Sequence, residues 1–433
     1  MKRPAITASI IALALLCQAN GRAQTADSSF EAPPQLAAAD LVPANLIQGN
    51  GHTLAAAVRL EGYRAIFEID SPQGQFRAPG RELLSLRIAE LPAIENLSRI
   101  NKGDAFADAL AKAAAAPLAF VGTVFSNPAA ALGSVASGAG QLVGSAGNVV
   151  RSGLERVTDG VTDLASDARN TAGPGEEREA PSFISDPFGY NKARRQWARS
   201  LAIDPYTSNP LLRKLLDDAA SATFAGSFAV DATLGIVAAP VRFVVGMDTQ
   251  SQDVVWDLSP GDIELQVEGR LKDMGIEGRP VRDFFRNSRI TPTLQNGLAG
   301  SLEKLTQVNG RAAILEIAAH MQSEAGIRGM IEALNLLADH HKTVAPVADL
   351  RLINSVAVAT RKDGSLVAAL SADYFYWNAT AAEFARRADL AAPRRTLLIS
   401  GRASPRALQE LERLGWTVMD TGLPQAGQAT AGR

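Results

Sequence analysis

The stretch Arg395–Asp420, RTLLISGRASPRALQELERLGWTVMD, decides how the end of this chain folds. Arg395–Ser400 reads as a strand, Ser404–Leu414 as a helix and Trp416–Asp420 as a second strand. A strand, a crossover helix and a strand form a βαβ unit, and such crossovers are right-handed and join parallel strands. Open sheets of this kind bind ligands outside the carboxyl ends of their strands. Ser400, Gly401, Ser404 and Asp420 are therefore the residues at which a site would lie. The loop after the first strand holds one glycine where a dinucleotide fingerprint needs three, so no cofactor is predicted.

Upstream, Leu352–Thr360 and Ser365–Asp373 read as strands flanking Arg361-Lys362-Asp363-Gly364, a hairpin with an Asp-Gly turn. Tyr374-Phe375-Tyr376-Trp377 reads as a core anchor, with pocket lining as the other use of such a cluster. Thr380–Ala388 is a short helix.

Ser259–Lys342 is a helical block. Ser259-Pro260-Gly261-Asp262 caps its first helix, which Gly275 and Gly278 end. Pro280 restarts the chain to Arg286, and Thr291-Pro292 opens a helix to about Val308, stopped by Asn309-Gly310. Ala312–Gln322 and Ile327–His341 follow, and short connections predict antiparallel neighbours. Glu316 and His320 share a helical face, while Asp339, His340 and His341 end the next helix. These residue types ligate metals, but a hairpin turning near Gly326 would offset His320 from His340 by roughly 12 Å along the axis. No metal site is predicted. His340, His341 and Lys342 suit the negative end of a helix dipole.

Before this block, Lys192, Arg194, Arg195, Arg199 and Trp197 share a short helix. Such a cluster holds an anion by charge-assisted bonds, or more simply pairs with neighbouring carboxylates. Ile203–Pro210 is dense in turn formers, and Asn209 or Ser208 is placed to cap the helix Leu211–Ala220. Tyr206 and Asn209 read as parts of a packed corner, with recognition as the alternative.

The middle of the chain is unusual in composition. Ala113–Val150 contains no Asp, Glu, Lys, Arg or His. Small or apolar residues recur with helical spacing from Leu132 to Ala168, with Gly133, Gly140, Gly144, Gly147 and Gly153 beside the stripe. Small residues let another backbone or a membrane surface approach closely but bury little area each. The stretch 113–168 thus reads as a helix packed on the body, or as an element for membrane-surface contact or self-association. A second small-residue stretch, Ala219–Met247, echoes it: Ala238-Ala239-Pro240 repeats Ala115-Ala116-Pro117. Asp231 and Arg242 argue against a simple transmembrane helix there.

Towards the start, Thr53–Leu60 and Tyr63–Asp70 alternate as strands around Glu61-Gly62, and Ser71-Pro72-Gln73-Gly74 is a turn. Arg81–Ala89 reads as a further strand. His52 sits in a Gly-rich loop, which reads as solvated rather than as a ligand or proton donor. Lys2, Arg3 and the apolar run Ala5–Leu16 form a signal peptide, with Gly21-Arg22-Ala23 setting cleavage before Gln24. A lipoprotein anchored through Cys17 is the rival reading, weakened by Leu16 where a small residue is wanted. Cys17 is the one cysteine among 433 residues, so the mature chain would have no disulfide, thiol nucleophile or thiolate metal site.

The fold class predicted is α+β, mixed and multi-domain. Its parts are a signal peptide (1–23), a disordered leader (24–40), a small N-terminal antiparallel sheet (41–103) and an Ala/Gly-rich helical middle (104–169). A linker (170–182), a helical bundle (183–345), a C-terminal α/β unit (346–423) and a disordered tail (424–433) complete it. A net charge of −2 without a concentrated basic face argues against nucleic acid. No catalytic, cofactor-binding or metal residue set is assigned. The expected function is an exported protein of the bacterial periplasm or envelope, non-enzymatic, acting on a protein partner or membrane surface. An exported hydrolase-like enzyme with a site near the βαβ unit is the alternative.

Overall fold

The computed structural model describes residues 29–49, 51–100, 189–224 and 242–420. The signal peptide, the 113–168 stretch, the 170–182 linker, most of the second small-residue stretch and the tail lie outside the described residues. The described chain is a mixed α+β fold, as expected.

The first part comprises β1 (Leu36–Ala37), α1 (Ala38–Leu41), α2 (Ala44–Ile47), β2 (Gln48–Gly49), β3 (His52–Leu54), β4 (Ala57–Glu61), β5 (Arg64–Ser71), β6 (Gly74–Pro79) and α3 (Arg81–Ile100). The sheet is antiparallel and centred on β5. β3 and β4 lie along one edge of β5, interrupted at Ala55-Ala56, and β6 lies along the other. The Ser71↔Gly74 pair leaves Pro72-Gln73 as the turn, where the sequence placed it. Alternation buries Ala65, Phe67 and Ile69 and exposes Glu68 and Asp70. Residues 29–40 are not a separate leader: β1 pairs with β4, and Trp377 N donates to Glu31 at 2.6 Å.

Arg81–Ala89 is not a strand but the start of the 20-residue helix α3. Leu84, Leu86 and Ile88 recur every second residue and imitate a strand over that short window. Over the longer run the buried positions include Leu83, Leu84, Leu86, Arg87, Glu90, Leu91, Ile94 and Leu97, which recur at three- and four-residue steps, a helical period. His52 is also corrected: it is buried, and its Nε2 donates to the Leu46 carbonyl at 3.1 Å.

The helical part holds α4 (Tyr190–Ser200), α5 (Pro210–Phe224), α6 (Thr249–Asp257), α7 (Pro260–Asp273), α8 (Arg279–Arg286), α9 (Pro292–Glu303), α10 (Arg311–Ala319) and α11 (Glu324–Thr343). Ser259, Thr291 and Ser323 cap α7, α9 and α11 by accepting a backbone N–H three residues on. Asn209 caps α5. α4 and α5, consecutive in sequence, pack most closely, but from α7 onward the strongest packing joins alternate helices, α7 with α9, α8 with α10 and α9 with α11, rather than the neighbours expected there. The reason is α9, which is buried almost all round and needs partners on several sides. α9 also ends at Glu303, five residues before the predicted stop. Asn309 instead bridges to Asp349 beside the first strand of the C-terminal sheet. Gly310 must be glycine, because φ is +89° and a Cβ would lie 1.9 Å from the Leu350 carbonyl oxygen.

The last part runs β7 (Asp349–Ile353), β8 (Val356–Thr360), β9 (Leu366–Leu370), β10 (Tyr374–Phe375), α12 (Ala379–Ala385), β11 (Arg395–Ile399), β12 (Arg402–Ala403), α13 (Pro405–Arg413) and β13 (Trp416–Asp420). The single strand expected over 352–360 is two, divided by a turn at Asn354, whose φ is 55°. The five-stranded sheet has the order β13-β11-β9-β8-β7. β9, β11 and β13 are parallel, and α13 makes the crossover of the expected βαβ unit. Alternation along these strands divides the core. Ala357, Ala359, Val367, Ala369 and Leu398 face α11 and join an apolar core that reaches back to Ala38. Val358, Leu366, Ala368, Leu397 and Ile399 face α12 and α13, with Trp377 and Trp416, in a second core. The alanines on the first face let α11 lie close to the sheet.

Candidate functional site

The carboxyl ends of β11 and β13 are the place where the sequence put a site. There the Ser400 hydroxyl is engaged by the backbone: Ala372 N donates to Oγ at 3.0 Å, and Oγ lies 3.2 Å from the Ala372 carbonyl. Gly401 is pressed against the neighbouring strand end, where a Cβ would meet the Asp373 carbonyl oxygen at 2.3 Å. Ser404 caps α13 by accepting from Ala407 N at 3.0 Å and donates to Glu31 at 2.6 Å. Asp420 is exposed at the end of the edge strand β13. Of Tyr374–Trp377, the last three are buried in the second core, with Tyr63 stacked 4.7 Å from Phe375.

What fills the strand ends is the protein itself. Asp373, which follows β9, accepts from Ala65 N at 2.8 Å through Oδ2. Its Oδ1 accepts from Arg81 N at 3.2 Å and Arg81 Nε at 3.1 Å. Arg81 also donates to the Ser400 carbonyl. Beside them, the Ser371 hydroxyl donates to Glu332, whose carboxyl is raised above the usual range by burial. The cavity left among these groups measures about 10 Å³, the space of one water.

A second cluster is fully internal. Arg87 Nη1 donates to Glu90 at 2.9 and 3.0 Å, and Asn209 Nδ2 donates to Glu90 at 2.9 Å. Thr207 completes the partners of that buried carboxylate. Arg328 donates to Glu324 at 2.8 Å, to Glu82 at 3.0 Å and to the Phe243 carbonyl at 2.7 Å. Arg87 approaches Glu324 at 4.0 Å, so the two groups form one network joining α3, α5 and α11. Burial still costs Glu324 something, but its two arginines outweigh it and hold the carboxyl below its ordinary range.

Asp204 lies next to this network. Burial pushes its pKa up to about 6, against hydrogen bonds from Thr293 (2.7 Å) and Tyr206 N (2.8 Å). A carboxyl with a raised folded pKa binds its proton more tightly in the folded state. Its contribution to stability therefore falls as pH rises from about 4 to about 6. The Asp204→Asn protein is expected to lose this dependence and to gain stability above pH 6, on the order of 3 kcal/mol. Urea titrations of both proteins at pH 4 and pH 7 measure it. Parallel pH profiles would show that Asp204 carries no such burden.

The basic helix is internally paired. Arg194 lies 3.0 Å from Asp217, and Trp197 Nε1 donates to Thr223 at 2.9 Å. Arg199 pairs with Asp257 and sits over the Trp256 ring at 5.8 Å. Tyr206 is buried beside Arg195, and burial pushes its phenol up to about 12. The metal-type residues are not gathered. His320 Nδ1 donates to the Glu316 carbonyl at 2.8 Å, and His341 Nδ1 accepts from Val347 N at 3.1 Å. His340 is buried, which lowers its pKa. Among the described residues, no three His, Asp or Glu side chains are grouped to hold a metal.

A cleft of about 340 Å³ lies between the β4–β5 turn, the start of α11 and the β9–α12 end of the mixed sheet. Sequence reasoning singled out none of the residues that build it, nor Arg81, Glu90, Arg328 or Asp373. Charges set inside apolar helical faces, such as Arg87, Glu90 and Arg328, were the available signal. Comparison with protein-family models, curated proteins and solved structures finds no match.

Proposed function

We propose that this is an exported, non-enzymatic protein of the bacterial envelope, acting on a protein partner or membrane surface through residues 113–168. The observation that supports the reading is where the small-residue stretches are attached. α3 ends at Ile100 and α4 begins at Tyr190, and both helices pack on α5. α5 itself ends at Phe224, where the second small-residue stretch continues. The helices that flank both stretches in sequence are therefore gathered around α5. That helix is tied into the ionic network through its cap Asn209, which gives the attachments a firm base. The saturated hydroxyls of Ser400 and Ser404 favour this reading over a hydrolase at the βαβ unit. Among the described residues, no helix is long and apolar enough to cross a membrane.

Fractionation of cells expressing the full chain tests it, with mass spectrometry of the mature N-terminus. A chain starting at Gln24, membrane-bound or oligomeric until 113–168 is deleted, is expected. An unchanged distribution on deletion would overturn the role of that stretch, and an intact Met1 would overturn export.

A further inference from the structure

The 340 Å³ cleft is within the size range of small-molecule sites. Its walls are unlike at their two ends. Met321, Met330, Leu352 and Leu370 supply an apolar floor, and two methionines make it adaptable. At the other end stands Arg64. Its stem passes Gly80, where a Cβ would be 3.5 Å from Arg64 Cδ. Its head lies over Gly329, where a Cβ would meet Arg64 Nη2 at 2.3 Å. Gly329 thus clears the place of the guanidinium, whereas a Cβ at Gly80 would make only ordinary contact with the stem. The backbone at Gly80 has φ of +97°, a conformation that suits glycine.

Arg64 donates Nη1 to the Ala325 carbonyl at 2.5 Å. Unlike Arg81, Arg87 and Arg328, it has no carboxylate within ion-pair distance among the described residues. A guanidinium has five N–H donors in a planar fork, so donors remain for a ligand. The first turn of the 20-residue helix α11 lines the same end at Gly326 and adds a positive partial charge.

We propose that this cleft binds a medium-chain aliphatic carboxylate, with its carboxylate on Arg64 and its chain along the methionine and leucine floor. A carboxylate matches the guanidinium fork bidentately. A phosphate dianion fits less well, because Arg64 is the cleft's one cation and Glu61 stands at its rim. The site is argued from residues outside 113–168, so it stands or falls independently of the contact function.

The test is calorimetric titration of the full chain with octanoate and with 1-octanol. Octanoate is expected to bind at least tenfold more tightly, because only it can use the guanidinium. Arg64→Gln is expected to remove that preference and leave octanol binding unchanged. Leu352→Trp, which fills the floor, is expected to weaken both probes at least tenfold. The wild-type comparison decides even where a variant fails to fold. No octanoate binding at millimolar concentration, or equal affinity for the two probes, overturns the proposal. Competition by inorganic phosphate at the same concentration overturns the carboxylate assignment.

Discussion

Replacing Arg328 with Met is expected to cost about 3–5 kcal/mol of unfolding free energy, the loss seen when one partner of a buried ion pair is removed. Arg328 is 3% exposed, so its charge has no access to solvent. It bridges Glu324 on its own helix, Glu82 on α3 and the carbonyl of Phe243. Glu82 also accepts from Val245 N at 3.1 Å, so the same pair fixes the backbone at Val245. Methionine would fill much of the volume but leave Glu82 without its cation and Glu324 with Arg87 alone, 4.0 Å away. Their repulsion and desolvation are the source of the loss, more than any missing attraction. Adding Glu82→Gln to Arg328→Met should therefore recover part of the stability, since one uncompensated charge disappears. Urea unfolding followed by tryptophan fluorescence measures both. A loss below 1 kcal/mol for Arg328→Met would show that water reaches the network.

Local pattern carried much of this fold. The caps at Ser259, Thr291 and Asn209, the Pro72-Gln73 turn and the 395–420 crossover unit are where their residues dictate, because each depends on neighbours in sequence. The misreadings have a common cause, which is burial from a distance. Over nine residues, Leu84, Leu86 and Ile88 match a strand as well as a helix, and only the longer run to Leu97 decides. His52 is an exception, since its carbonyl partner Leu46 is only six residues upstream; what its Gly-rich neighbourhood did not show is that the chain folds back on α2 there. The site suffered most. Ser400 and Ser404 sat at the fold-dictated position, but their hydroxyls were claimed by Ala372 and Glu31, residues 28 and 373 positions away. Arg64 became notable only once Gly329 of α11 was seen to make room for it.

Asp373→Ala is expected to cost about 3–4 kcal/mol and to loosen the N-terminal sheet from the C-terminal one. A buried donor left without its partner costs about 1–3 kcal/mol, and this one carboxylate serves three. Ala65 N belongs to β5, the centre of the antiparallel sheet, and Arg81 N to the first turn of α3. Alanine would strand both, and would leave the Arg81 guanidinium held only by the Ser400 carbonyl. A water entering the space vacated by the carboxylate would have only two acceptor lone pairs for the three donors. Asn would repair little, because its amide nitrogen would face a second donor at Ala65 or Arg81. Backbone links remain in the variant: Asp373 N still donates to the Tyr63 carbonyl at 2.9 Å. The expected result is accordingly a weakened joint rather than a lost fold. Hydrogen exchange at the Ala65 amide should accelerate by at least tenfold more than at Val367 or Leu398, which lie within the C-terminal sheet. Equal acceleration at all three would mean that Asp373 stabilises the molecule as a whole and is not the joint between its two sheets.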